Sequence, residues 1–207
     1  MIFAYNKEQV GDILMVILED TKDIKRQVER KGKIARVYSI ENKKTLAWNI
    51  FDVSSLISIS GNGQVFLSQS DIDLLNNEFE KEGFSEKLEA TQEPVFVVGQ
   101  IVDIVSHPDS DHLNICQVKI GNDKTVQIVA GAPNAKVGLK TIVALPGAMM
   151  PSGALIFQGK LRGQDSFGMM CSPRELDLPN APQKRGIIEL SEDAIVGDAF
   201  DVSKHWH

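Results

Sequence analysis

Between Phe96 and Leu190, short apolar runs are broken again and again by glycine and proline, and this punctuation limits the fold more than any other feature. FVVGQIVDIV, LNICQVKIG, TVQIVAGAP, LKTIVALPGA, GALIFQGKLRG and GIIEL follow one another at intervals of roughly 8–15 residues, the spacing of short strands joined by turns. In LNICQVKIG, Cys116, Val118 and Ile120 alternate with Gln117 and Lys119, the period that lays one side of a strand on a core. The pattern predicts a sandwich or a small barrel. One short helix is expected over residues 172–176, with Pro173 at its first helical position.

The preceding half reads differently. KIARVYSIE, the turn ENKKT and LAWNIFDV predict a hairpin. Ser70, followed by Asp73, resembles a capped helix start, and Leu74, Leu75 and Phe79 give that helix an apolar face with Gly83 as its stop. Polar KLEATQEPV, residues 87–95, separates the halves. The expected organisation is a small α+β domain over residues 1–90, then a mainly-β domain over residues 91–207. The first half lacks both histidine and cysteine, which removes the commonest metal ligands and acid–base groups.

Charge argues at two scales. The formal net charge is -6, which taken alone disfavours nucleic acid. Window 119–174 nevertheless holds seven Lys and Arg against Asp123 and Asp165, a net +5 in 56 residues. Screening beyond about 8 Å lets such a local field act on an acidic protein. The alternative is a scattered, solvated surface. No apolar run approaches the roughly 20 residues of a membrane span. The start is unlike a signal peptide, and two cysteines 55 positions apart give no disulfide framework, so a cytoplasmic location is expected.

Four constellations invite a chemical reading. HPDSDH, residues 107–112, offers two histidines and two aspartates, but Pro and Asp are also turn residues, and a metal site needs a further ligand nearby. In FQGKLRG an extended strand would put Phe157, Gly159 and Leu161 on a buried face, with Gln158, Lys160 and Arg162 on the other. Its two cations would then stand roughly 7 Å apart, a spacing suited to successive phosphates. DSFGMMC lacks the G-x-S-x-G nucleophile turn and reads as a buried strand, with Cys116 and Cys171 as small core residues. KHWH at the end is a fraying tail rather than a metal tract. Aromatics are sparse after residue 95, so nucleic-acid recognition would rest on backbone charge and shape, which suits a folded RNA.

HPDSDHLNICQVKIG, QIVAGAPNAKVGLKTIVALPGAMMPSG and KLRGQDSFGMMCSPRELDL, in that order, resemble the EMAP-II-type tRNA-binding domain. The similarity is to the form found in the bacterial phenylalanyl-tRNA synthetase beta subunit, and the whole chain resembles the YtpR family. The resemblance implies an OB-fold barrel and a binding module rather than an enzyme, with no cofactor and no metal. It implies phosphate contacts from Lys160 and Arg162, a hydroxyl contact from Ser166, and a place for Met169 in the same motif. Asn134 and Lys140 are implied as further contacts, and Lys136 and Arg174 join them from the basic window. The implied partner is tRNA. A protein-interaction module docking an aminoacyl-tRNA synthetase is the other reading, and a homodimer is compatible with both.

Overall fold

The computed structural model describes residues 1–90, 93–121 and 123–206. Thr91 and Gln92, in the expected linker, and His207 of the tail lie outside the described residues. The chain divides into two compact units, Met1–Glu93 and Pro94–His207.

The first unit contains β1 (Ile2–Tyr5), α1 (Lys7–Val10), β2 (Ile13–Ile17), β3 (Arg26–Lys31), β4 (Ile34–Ser39), β5 (Thr45–Phe51), β6 (Gly63–Gln64) and α2 (Gln69–Lys81). Its strands form one antiparallel sheet in the order β3-β4-β5-β2-β1-β6. On β5, Leu46, Trp48 and Ile50 are buried, while the intervening residues are less so. Trp48 meets Phe79 of α2 edge to face at 4.7 Å and Phe84 at 5.0 Å, the geometry that aromatic quadrupoles favour.

The hairpin β4–β5 and the helix lie where the sequence predicts them, but two details of the helix differ. Ser68, not Ser70, caps it. Its hydroxyl accepts from the Asp71 amide at 3.2 Å, and the Asp71 carboxylate accepts from the Ser68 amide at 3.1 Å. The buried stripe is Ile72, Leu75 and Phe79, while Leu74 is 50% exposed. At 100° per residue, Leu74 turns away from the line that those three define.

The second unit is mainly β. It contains β7 (Phe96–Ser106), β8 (Asn114–Lys119), β9 (Thr125–Ala130), β10 (Lys140–Ala144), β11 (Gly159–Leu161), β12 (Gln164–Ser166), β13 (Met169–Met170) and α3 (Val202–His205). Five strands form a sheet in the order β13-β10-β7-β8-β9. Long β7 pairs with both β10 and β8, and its register shifts between Ile101 and Asp103, where a bulge sharpens the bend. The sheet curls into the nearly closed barrel expected of an OB-fold. Gly99 sits inside the curve: a Cβ there would lie 2.6 Å from a Val143 methyl and 2.9 Å from one of Val118.

Three expectations fail locally. GALIFQGKLRG is not one strand. Only residues 159–161 join a ladder, and all three are exposed, so there is no buried face behind Lys160. GIIEL is extended but joins no named strand. Its amides are spent singly, Ile188 on the Cys171 carbonyl and Leu190 on the Lys140 carbonyl, both at 2.9 Å. Residues 172–176 make a turn rather than a helix. Ser172 and Glu175 form reciprocal cap bonds of 2.7 and 3.3 Å, but Asp177 turns left-handed at φ 49° and Pro179 follows. Residues 202–206 are also not frayed: α3 is capped by Asp201, and the Trp206 indole donates to the Pro179 carbonyl at 2.7 Å.

Cys116 and Cys171 are buried in the barrel. Burial pushes the Cys116 thiol up to about 11, with the Asp103 carboxylate adding to it, and the Cys171 thiol up to about 12. An unfolded thiol ionises near pH 9. The folded state keeps its protons above that, so this contribution to stability is complete below pH 9 and is lost as pH rises toward 12. The urea midpoint of the second unit should therefore fall as pH rises above about 9, and a thiol reagent at neutral pH should label neither cysteine until denaturant is added. In the first unit, Phe79→Ala should cost about 3–5 kcal/mol and Ser68→Ala about 1 kcal/mol in chemical denaturation.

Candidate nucleic-acid interface

The hairpin β11–β12 carries the motif cations. Leu161 pairs with Gln164, leaving Arg162 and Gly163 as a two-residue turn. Both have positive φ, 48° and 83°, as a type I′ turn requires. Arg162 is thus a turn residue and does not continue the strand face that bears Lys160. Lys160 stands across the ladder from Asp165, with 3.6 Å between the charged groups. Both side chains are exposed, and such a pair is worth about 0–1 kcal/mol, too little to withhold Lys160 from a phosphate.

HPDSDH makes a turn that braces this hairpin. His107 is only 3% exposed. Its Nδ1 accepts from the Asp109 amide at 3.0 Å, which leaves the proton on Nε2, facing the Leu161 carbonyl at 3.3 Å. Arg162 donates back to the Asp109 carbonyl at 3.1 Å. Both ring nitrogens of His107 are therefore spent on backbone. Among the described residues, no group of three or more His, Cys, Asp or Glu could hold a metal ion.

Ser166 ties the base of the hairpin to β9. Its hydroxyl accepts from the Val129 amide at 3.1 Å and donates to the Gly168 carbonyl at 3.3 Å. Asn134 is likewise committed inside the protein: its amide donates to the Ile187 carbonyl and the Glu189 carboxylate, both at 2.9 Å, and accepts from the Ile187 amide at 3.0 Å. Lys140 donates to the carbonyls of Glu192 and Ala194, at 2.6 and 2.8 Å. Lys136 is exposed on the loop between β9 and β10.

A groove of about 350 Å³ runs beside the seam of the barrel, lined by Pro133, Met169, Ser172, Arg174, Glu175 and Arg185 among others, with the Glu175 carboxylate turned to the Ser172 amide and hydroxyl. Arg174 comes from the turn that Ser172 and Glu175 staple. Arg185 precedes Gly186, which adopts φ 140° against Asn134; a Cβ there would lie 2.9 Å from the Asn134 oxygen. Asn134 therefore fixes the segment that carries Arg185. Among the described residues, no carboxylate lies within 4.0 Å of either arginine. The structure thus gathers Met169 and Arg174 at the groove and Lys160 and Arg162 on the adjoining hairpin, while Asn134, Lys140 and Ser166 hold the frame. Sequence reasoning missed Arg185, which lies outside the basic window, and the bracing role of His107. The signal for Arg185 was the glycine after it.

A family model described as "Putative tRNA binding domain" matches residues 96–199, and one described as "Domain of unknown function (DUF4479)" matches residues 21–91. The phenylalanine–tRNA ligase beta subunit of Rhodospirillum rubrum is 52% identical over 103 residues, covering 49% of this chain and 12% of that subunit. The Bartonella henselae subunit is 47% identical over 108 residues, covering 52% of this chain and 13% of its own length. The chain thus spans a small fraction of these synthetase subunits. The Bacillus subtilis protein named "Putative tRNA-binding protein YtpR" is 43% identical over 196 residues, covering 95% of this chain and 97% of that one. With both units aligned at that identity, the chain belongs to the YtpR family.

Proposed function

We propose that this chain binds tRNA in the cytoplasm without chemistry of its own, through the face formed by Lys160, Arg162, Arg174 and Arg185, with Lys136 at its flank. The observation that carries the reading is the pair of arginines at one groove, held there by separate internal frames and left without an acid partner among the described residues. Exposed guanidinium groups carried on segments fixed in this way suit bidentate phosphate contact. Met169 and Pro133 add apolar surface for a ribose or base edge, and the hairpin extends the charge outward. The tRNA-binding descriptions of the matched family and of the Bacillus subtilis relative agree with this reading.

Absence of chemistry fits the nucleophiles present in the barrel. Both thiols are buried and protonated at neutral pH, and His107 has neither ring nitrogen to spare. Asn134, Lys140 and Ser166 act here as supports. Their loss would disturb the shape of the site more than its charge.

Filter binding of bulk tRNA should show a log K against log salt slope of about -3 or steeper. Arg174→Ala with Arg185→Ala should make that slope shallower by about 2, and should weaken binding to all tRNAs alike. Asn134→Ala should lower the melting temperature as well as the affinity. Absence of binding at about 50 mM salt, or binding indifferent to salt, would contradict the proposal.

A further inference from the structure

The densest positive charge in the chain lies in the first unit, in a stretch of sequence separate from the tRNA-binding motif. Residues 22–44 contain nine Lys and Arg against Asp23, Glu29 and Glu41, a net +6 in 23 residues. They build β3, β4 and the turns around them. β3 is an edge strand, and five of its six residues are exposed.

Ion pairing leaves most of this charge unspent. Lys31 pairs with Glu29 at 3.2 Å, Arg36 with Glu86 at 3.2 Å, and Lys44 with Glu19. Among the described residues, Lys22, Lys25, Arg26, Arg30, Lys33 and Lys43 have no carboxylate within 4.0 Å, although Arg26 donates to Thr21, Arg30 to the Gly32 carbonyl and Lys33 to the Ser55 hydroxyl. They occupy both ends of the hairpin. Arg26 opposes Ser39 at one end, and Lys25 and Lys43 bond through their backbones to Ile40 and Ser39. Arg30 opposes Ala35 near the other end, with Lys33 in the turn. Six strand residues span roughly 17 Å, long enough to follow several phosphates.

Apolar and aromatic side chains lie beside the cations on both faces of the hairpin. Arg26, Val28 and Arg30 share the sheet face turned away from α2, and Val28 is 59% exposed. On that face the Arg30 guanidinium lies 4.0 Å from the centre of the Phe51 ring; on the opposite face, which Tyr38 shares with Gln27, the Lys43 ammonium lies 5.4 Å from the centre of the Tyr38 ring. Stacked cation and ring pairs offer a flat surface for bases beside charge for phosphates.

Cations on an edge strand also deter sheet-to-sheet pairing. That role accounts for Arg26 and Arg30 but not for Lys22, Lys25, Lys33 and Lys43, which lie outside the strand. We propose that the β3–β4 hairpin is a second RNA-binding surface, taking the phosphate backbone of an RNA. The choice of RNA over another polyanion rests on the tRNA reading above, because an RNA held by one unit raises its effective concentration at the other.

The test uses the full chain with Lys22→Ala, Lys25→Ala and Lys43→Ala together, side chains that donate no hydrogen bond among the described residues. Filter binding of tRNA should show a slope shallower by about 2–3 and affinity reduced at least about tenfold at 50 mM salt. Melting temperature and elution volume should match the parent. Unchanged slope and affinity would overturn the inference, and if Arg174→Ala with Arg185→Ala still weakened binding, the proposed function would stand without it. Aggregation of the variant with undiminished RNA affinity would assign the lysines to edge protection and overturn it. So would a parent chain that sediments with phosphatidylserine vesicles through these lysines while the variant binds tRNA normally. A parent chain that binds no tRNA would overturn both readings.

Discussion

β9 is an edge strand, and the barrel depends on satisfying that edge without a further ladder. The partner is the short run from Asp165 to Phe167. The Phe167 amide donates to the Gln127 carbonyl at 2.8 Å, the Gln127 side chain donates to the Asp165 carbonyl at 2.8 Å, and the Val129 amide finds the Ser166 hydroxyl. A buried edge with unmet amides would cost about 1–3 kcal/mol for each group. This closure by single bonds fixes the base of the β11–β12 hairpin, and the groove follows the same seam. Gly168 shows how tight the join is: its φ is 136°, and a Cβ there would lie 2.6 Å from the Ala144 carbonyl oxygen.

How far the sequence reveals this depends on where each bond ends. β7, β8, β9 and β10 are legible because ladder strands with one buried face leave a period of two in the chain. GIIEL carries the same composition, yet its amides go to Cys171, Lys140 and the Asn134 side chain, partners that no local pattern announces. β3 fails for the opposite reason. RQVERK has a single apolar residue, because an exposed edge strand buries almost nothing. MIFAY is buried at all four positions of β1 and so shows no alternation.

The site divides along similar lines. The motif places Lys160, Arg162, Ser166 and Met169 in one neighbourhood, and the fold keeps them there. What the motif does not reveal is which of them are spent. Ser166 and Asn134 look like polar contacts for a ligand, but each bonds groups inside the protein: Ser166 two backbone groups, Asn134 the Ile187 backbone and the Glu189 carboxylate. A side chain that satisfies two backbone groups at once is worth more to the fold than to a solvated phosphate, since its removal orphans both. Arg174 and Arg185 are the reverse case. The basic window marks Arg174 and a following glycine marks Arg185, but only the turn at 172–177 and the Asn134 clamp bring the two to one groove.

The same distinction explains why a net charge of -6 is a weak guide. Many carboxylates are occupied in holding the chain: Asp71 and Glu175 in caps, Glu189 on Asn134, and Asp12 between Ser54 and Tyr5. The Ser54 hydroxyl and the Tyr5 phenol hold the Asp12 carboxyl below the usual carboxylate range, as a structural acceptor should be. These acids keep their charge, but each sits where its bonds require. With screening beyond about 8 Å, a phosphate responds to the cations beside it more than to the total. Positive charge is therefore least offset where acids are paired or sparse, at the groove beside the barrel seam and along β3.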